Sequence, residues 1–274
     1  MPPGPSPAPK FAVSIDGKLL GVDHASGGYP KGEVVTMFPG QGGPPRRQLS
    51  AVRYTNLRIG LGLNVGASNL AWVNAALANA APIVKNGTLI ELDLDNRATS
   101  YLDFSKGSVA EFVFPGLEGS SKAPCTTVLE VAMEKSVLRP GDGARIVLPR
   151  RQDGVSGNFR LTVDGLPTSR VRSIAPISFH RTTGGVVASD LIVAIADADA
   201  APWRAWADDF IVKGNNGQDK EKRGKIEVLA PNMSDVLATL TIGNIGIAEL
   251  GPSYTPTRSQ QATMYFEVAQ LSYP

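Results

Sequence analysis

Two histidines, His24 and His180, are the first residues to weigh for chemistry, because imidazole suits general acid–base work near neutral pH. Neither stands at a diagnostic spacing from an acid or a nucleophile. Each lies near a Gly-rich turn, so both are expected to be solvated loop residues. Asp93 and Asp95 alternate in "LDLD", which would send both carboxylates to one side of a strand, as a calcium site or a glycosidase pair requires. The matching places later in the chain hold Val228 and Ala230, which favours an exposed sheet face instead. "GQGGPP" is glycine-rich, but no lysine, serine or threonine follows it as a phosphate loop needs, and it reads as a flexible loop. Cys125 is the only cysteine, which excludes an intrachain disulfide and a multi-cysteine zinc site and leaves a buried thiol as the expectation. Trp203, Trp206 and Phe210 could form a sugar platform if exposed, yet their helical spacing points to core. No convergent acid, base and nucleophile emerge, so no catalytic residue, cofactor or metal is assigned.

The elements that would position these residues are mostly strands. Hydrophobic residues at 42% and charged residues at 19% describe a chain able to bury a sizeable core, and 29 glycines with 21 prolines imply many turns. The formal charge is +2. Cutting after Leu138 leaves 12 basic against 11 acidic residues in the first half and 15 against 14 in the second. Neither half has the basic excess of a protein that grips phosphates, so nucleic acid is not expected as a tight ligand. "MPPGPSPAPK" lacks the pattern of a signal peptide and reads as an extended arm over residues 1–10. No apolar run has the roughly 18 residues of a membrane helix, so no membrane insertion is expected and synthesis in the cytoplasm is.

An internal repeat is the dominant signal. "FAVSIDG" (Phe11 to Gly17) recurs as "FRLTVDG" (Phe159 to Gly165), an alternating strand that breaks at Asp-Gly. "NLRIGLGL" from Asn56 matches "DLIVAIAD" from Asp190. Each half then has one amphipathic helix. In "SNLAWVNAALANA", Ser68 is the expected N-cap and Leu70, Val73 and Leu77 the apolar stripe; in "DAAPWRAWADDFIV", Asp199 caps and Trp203, Trp206 and Phe210 make the stripe. Strands resume at Thr88 and Lys225. "YLDFSKGSVAEFVF" from Tyr101 aligns without a gap on "LATLTIGNIGIAEL" from Leu237, placing Gly107 and Gly243 in one bend. "TTVLEVA" (Thr126 to Ala132) is echoed by "TMYFEVA" (Thr263 to Ala269). The first half carries about fourteen more residues near Lys31 to Ser50, where Gly and Pro argue against a regular element.

The expected architecture is mainly β: two tandem sandwich or barrel domains, each with one packed amphipathic helix. The boundaries are an arm at 1–10, domains at 11–138 and 158–274, and a linker at 139–157 around a strand-like run, Ile146 to Leu148. The final strand, Ala262 to Leu271, has few charges and reads as an open edge that a neighbour must cover.

The order F-x-V-x-I-D-G, a Gly-containing loop, a Y-T-N-L strand, a helix with a central Trp, a strand ending Asp-x-Asp and a closing L-E-V-A-M-E strand resembles bacteriophage tail tube proteins. The inner-tube proteins of contractile injection systems belong to the same family. The matching pieces here are Phe11 to Gly17, Tyr54 to Leu57, Leu70 to Leu77, Thr88 to Asp95 and Val128 to Glu134, with a weaker second set in the other half. The resemblance implies no catalysis. It implies self-association into rings and a stacked tube, with sheath, hub or baseplate and tape-measure proteins as neighbours, in a virion tail or a phage-tail-like particle. Nucleic acid or cargo would pass through the lumen without tight binding. Because such proteins are typically single-domain and assemble as six, two domains per chain imply a trimer with pseudo-sixfold symmetry. The implied extended loop falls at Met37 to Ser50, which makes Met37, Phe38, Gly40, Gln41, Arg46 and Arg47 candidate assembly contacts. Arg150, Arg151, Lys220, Lys222 and Arg223 are further candidates, with solvated turns as the alternative. The rival reading is a tandem β-sandwich that binds carbohydrate or protein.

Overall fold

The computed structural model describes residues 10–38, 43–149, 154–253 and 259–274, so the proposed arm, apart from Lys10, lies outside the described residues. The first series of elements is β1 (Lys10–Ile15), β2 (Lys18–Gly27), β3 (Pro30–Met37), β4 (Arg46–Tyr54), β5 (Leu57–Leu61), α1 (Ala67–Leu77), β6 (Lys85–Leu92), β7 (Ala98–Phe114), the two-residue β8 (Leu117–Glu118), β9 (Thr127–Ala132) and β10 (Lys135–Pro140). The second is β11 (Phe159–Val163), β12 (Val171–Ile174), β13 (Ile177–Thr182), β14 (Gly185–Ala188), β15 (Leu191–Ile195), α2 (Ala200–Ala207), β16 (Lys222–Leu229), β17 (Val236–Ser253), β18 (Ser259–Tyr265) and β19 (Val268–Ser272). Apart from β8, each element of the first series has one counterpart in the second, in the same order.

Pairing repeats as well as order. The circuit β7-β6-β1-β2-β5-β9 closes through an additional β7–β9 pairing, and β10 also pairs with β7. The second sheet runs β11-β16-β17-β18-β15-β12, with β8 beyond β12 and β19 on β17. Both are barrel-like. In the second, β11 and β12 do not pair, and an open cleft of about 380 Å³ lined by Phe159, Leu161, Thr168, Val171, Leu229 and Met233 occupies the gap. Register is kept too: Phe11 faces Glu91 and Phe159 faces Val228, at offsets of 148 (159 − 11) and 137 (228 − 91). The turns that follow are pinned alike, since the Asp16 N–H donates to the Asn86 carbonyl and the Asp164 N–H to the Arg223 carbonyl, both at 2.9 Å.

The structure corrects two registers. Glu134 N–H donates to Ser105 C=O at 3.2 Å, and Glu267 N–H donates to Gly243 C=O at 3.2 Å. The equivalent offsets are therefore 133 (267 − 134) and 138 (243 − 105), where the sequence alignment gave 137 and 136. The bend is shared by Lys106 (φ 49°) and Asn244 (φ 54°), not by Gly107 and Gly243. "TTVLEVA" fills one strand, whereas "TMYFEVA" breaks at Phe266 and Glu267 between β18 and β19. Slips of four and two residues keep every side chain on its own face, because a strand's period is two. The expected open final edge holds for only part of its length: β18 is paired on both sides, by β15 and β17, whereas among the described residues β19 pairs on one side alone, with β17.

By internal contacts the chain divides into two compact units, Met1–Ile59 with Val84–Ala110 and Glu130–Pro149, and Gly60–Ile83 with Glu111–Leu129 and Arg150–Pro274. Three of the five cuts fall inside β5, β7 and β9, so a compact unit and a sequence repeat are different divisions of one chain. In the first unit Val13, Ile15, Leu57, Ile59, Phe104 and Val131 are buried. Its other sheet face is covered over Ala12, Ile90, Leu92 and Ala98 by Ile146 and Leu148, the run expected in the linker. In the second unit Leu161, Val163, Ile226, Val228, Leu240, Ile242 and Met264 form the core. Burial of each such aliphatic side chain stabilises by roughly 1.5–3 kcal/mol.

Both helices belong to the second unit. α1 begins after Gly66 (φ 83°), whose N–H is bound by the Asn64 side chain at 2.7 Å; Ser68 lies inside the helix and does not cap it. The buried face is Asn69, Trp72, Val73, Ala76 and Leu77, with Leu70 only half-buried, so the stripe centres on Trp72. Asn79 (φ 53°) then ends the helix in the left-handed conformation. Asp199 occupies the N-cap of α2 without a side-chain capping bond. A π-turn over Asp208–Val212 prolongs α2 and carries Phe210 inward. Trp203, Trp206, Phe210 and Tyr265 contact in sequence at 6.2, 6.0 and 6.4 Å between centroids, and Trp203 is fully buried. Trp203 and Phe210 are core, Trp206 and Tyr265 are half-buried against them, and the four form no exposed platform.

Candidate assembly surface

The stretch expected to be an irregular loop is a hairpin. β3 and β4 form a two-stranded sheet of their own, with Pro30 facing Tyr54, Val35 facing Gln48 and Met37 facing Arg46. Apart from Pro30 and Gly32, the Gly and Pro residues of this stretch fall between Met37 and Arg46 in the sequence, while "EVVTM" and "RRQLSAVRY" hold the β-branched Val34, Val35, Thr36 and Val52, which favour extended backbone. At the hairpin root Gly27 (φ 83°) and Gly28 (φ 82°) turn the chain, and a Cβ on Gly27 would collide with the Asn56 carbonyl oxygen.

Nearly every residue of this hairpin is exposed on both faces, including Val34, Val35, Met37, Leu49 and Val52. An isolated two-stranded hairpin is at best marginal in water, and exposed apolar residues on both faces mark a surface built to be covered. Of the sequence candidates, Met37, Phe38, Arg46 and Arg47 gather near the tip, and Phe38 is 78% exposed. Gly40, Gln41, Arg150 and Arg151 lie outside the described residues. Lys220 ends a short 3-10 turn just before β16, and Lys222 and Arg223 open β16 itself. Lys220 pairs with Asp219 at 3.0 Å, Lys222 donates to the Asp164 carbonyl and lies 5.3 Å over the Trp206 ring, and Arg223 is exposed. Sequence reasoning missed Tyr29, Val34, Val35, Leu49 and Val52. The β-branched Val34, Val35 and Val52 were the available signal for extended backbone here.

The second series holds a shorter hairpin at the equivalent place. Ser178 N–H donates to the Ser189 hydroxyl oxygen at 3.0 Å, as Tyr29 N–H donates to that of Thr55 at 3.0 Å. β13 is not free: Ile177, Ser178, Phe179 and His180 pair with Phe114, Val113, Phe112 and Glu111 at the end of β7, all within the second unit. Phe112 and Phe179 lie 6.4 Å apart and both are buried.

The residues weighed for chemistry do not converge. His24 and His180 are exposed on β2 and β13, so they are strand residues and not loop residues. Asp93 is a turn-former: its carboxylate accepts from the N–H groups of Asp95 at 2.9 Å and Arg97 at 2.8 Å, which corrects the expectation of an acidic strand face. Cys125 is buried, and burial pushes its thiol up to about 11, far from a reactive thiolate. Among the described residues no three His, Cys, Asp or Glu side chains are grouped to hold a metal. An open apolar cleft of about 660 Å³ beside Val113, Leu117, Ile174 and Ile192 is lined by one ionisable residue, Glu118.

No family model matches the chain, and no curated protein matches it. Solved structures similar to it include a chain of the sheath–tube complex of an extracellular contractile injection system in its extended state. That chain is 14% identical with a TM-score of 0.43, over 50% of this chain and 92% of the other. The tube-terminating cap of the anti-feeding prophage is 14% identical with a TM-score of 0.43, over 50% and 93%. Hcp1 from Flavobacterium johnsoniae is 15% identical with a TM-score of 0.35, over 49% and 96%.

Proposed function

We propose that this chain is a structural, non-catalytic subunit of a hollow tail tube, in a phage or a phage-tail-like contractile injection system. Three chains supply six barrels to a pseudo-hexameric ring, with the repeats 11–138 and 158–274 as successive members. The observation that carries the reading is the repetition of one barrel, strand for strand and in register, within a single chain. The tail-tube sequence pattern and a hairpin with apolar residues exposed on both faces support it. Stacked rings would meet sheath, hub or baseplate and tape-measure proteins in the particle, with nucleic acid or cargo passing through the lumen. Assembly would follow synthesis in the bacterial cytoplasm; among the described residues no helix is long and apolar enough to cross a membrane.

Negative-stain electron microscopy of the purified chain, with its mass in solution, tests this reading. Rings or tubes with a central hole and a three-chain mass support it, and a monomer that stays monomeric on concentration overturns it. Deleting Gly40 to Arg46 is expected to leave the fold intact and abolish assembly.

A further inference from the structure

We infer that the β3–β4 hairpin of one copy adds as a strand pair to the free edge of β17 at Glu249–Pro252 in a second copy. The inference rests on the self-association proposed above and specifies its seam. The chain carries its own template, because β13–β14 makes this contact on the end of β7. The two hairpins correspond residue by residue at their roots: Phe179 faces Ala188 and Pro30 faces Tyr54, His180 faces Val187 and Lys31 faces Arg53. β7 and β17 correspond at an offset of 138, which carries Glu111, Phe112, Val113 and Phe114 onto Glu249, Leu250, Gly251 and Pro252.

Burial shows where the partner is missing. Leu102, Phe104 and Val109 of β7 are buried, and so are their counterparts Leu240, Ile242 and Ile247. Phe112 and Phe114, near β13, are buried as well, but Leu250 is half-buried and Pro252 exposed. β18 occupies one edge of this stretch, from Gly246 to Ser253, and among the described residues no strand pairs with the other. An unpaired edge and an unpartnered hairpin in one chain are complementary needs.

Charge selects the same register. Carrying the β13 pairing across places Lys31 opposite Glu249, Pro30 opposite Leu250 and Tyr29 opposite Gly251. Lys31 and Glu249 are both exposed and of opposite sign, and opposite charges directly across a strand pair are favourable. The proline at 252 is tolerated where it falls, near the end of the paired stretch. The seam between copies thereby lacks the buried Phe112–Phe179 contact of the template, so it is the weaker of the two and the place where a ring opens.

The test is a cysteine pair, Lys31→Cys with Glu249→Cys, in a Cys125→Ala background, oxidised and run on a non-reducing gel beside each single variant. Directly opposed strand residues are within disulfide reach. Only the pair is expected to give covalent dimers and trimers, and reduction should release them. Separately, Lys31→Glu or Glu249→Lys alone should raise the concentration needed for assembly by roughly tenfold, and the two together should restore it. Rings that form without cross-linking, and that ignore both charge reversals, overturn this seam while leaving the ring. A folded wild-type chain that never assembles overturns the ring and the seam together.

Discussion

Asn74 on α1 holds Leu271 on β19 by both of its backbone groups: the side-chain amide donates to the Leu271 carbonyl at 2.9 Å, and the side-chain oxygen accepts the Leu271 N–H at 2.8 Å. One residue thus does for β19 what a neighbouring strand would do, within the second unit. Asn74→Ala leaves both groups without that partner and should cost about 2 kcal/mol, a fall in Tm of roughly 4–8 °C. Thermal unfolding followed by circular dichroism checks this, and a variant within a degree of the wild type would show that water replaces the side chain at no cost.

Two residues further on, the Tyr273 hydroxyl donates to the Leu63 carbonyl and accepts the Val65 N–H, both at 3.1 Å. Burial pushes this phenol up to about 12, against the Val65 N–H, which favours the ionised form. A folded pKa above the unfolded value of about 10 means that the folded state holds its proton more tightly. Its stabilisation is complete below pH 10 and is lost as pH rises toward 12. Tyr273→Phe should be less stable than wild type at pH 8, and the gap should close by on the order of 2 kcal/mol by pH 12. Urea unfolding at several pH values measures it; a gap that is constant with pH would place the phenol in water.

Much of this fold was legible in the sequence, and what failed did so for physical reasons. Phe11 and Phe159 with their Asp-Gly turns, and Leu57 and Leu191 with their alternation, located corresponding strands because local pattern and tertiary pairing agree there. The errors at Gly107 and at "TMYFEVA" were even-numbered slips, which pattern cannot detect, since only hydrogen bonds such as Glu267 to Gly243 mark the register. The β3–β4 hairpin was hidden by counting Gly and Pro over the whole segment when most of them fall between Met37 and Arg46 in the sequence. The helix start at Gly66 depends on a positive φ that no side-chain cap announces. The segment that the sequence marked for assembly is the exposed β3–β4 hairpin, whereas the edge proposed as its partner, Glu249–Pro252, emerges only from comparing two strands that share a register.

Glu227 shows how the repeats diverged under that shared register. It faces Arg160 where the first repeat has Ile90 facing Ala12 beneath Ile146 and Leu148. Its carboxylate takes bonds from Arg160 at 2.7 Å and Lys225 at 2.8 Å. Burial works against its charge, but these two cations prevail and hold its pKa below the ordinary glutamate value of 4.5. A lowered folded pKa gives stability that is present above about pH 4.5 and lost as pH falls through the folded value. Glu227→Gln should therefore be less stable than wild type at pH 7 by about 1–3 kcal/mol and lose less between pH 5 and pH 3. Parallel acid profiles for the two proteins would remove the pair from the account.

Lys106 and Asn244 hold the same left-handed backbone at the same bend, φ 49° and 54°, though only asparagine is suited to it. The ion pair of Lys106 with Glu134 is largely exposed and offsets little of that strain. The Lys106 N–H donates to the Asn86 side-chain oxygen at 3.0 Å, a bond that any residue there keeps. Lys106→Gly should consequently stabilise the chain by up to about 1 kcal/mol, and Lys106→Asn by less, while Asn244→Lys should destabilise it by a similar amount. Denaturant midpoints for the three variants decide the matter. Opposite signs for Lys106→Asn and Asn244→Lys would confirm that the two bends are one structural position written twice, whereas equal signs would separate them.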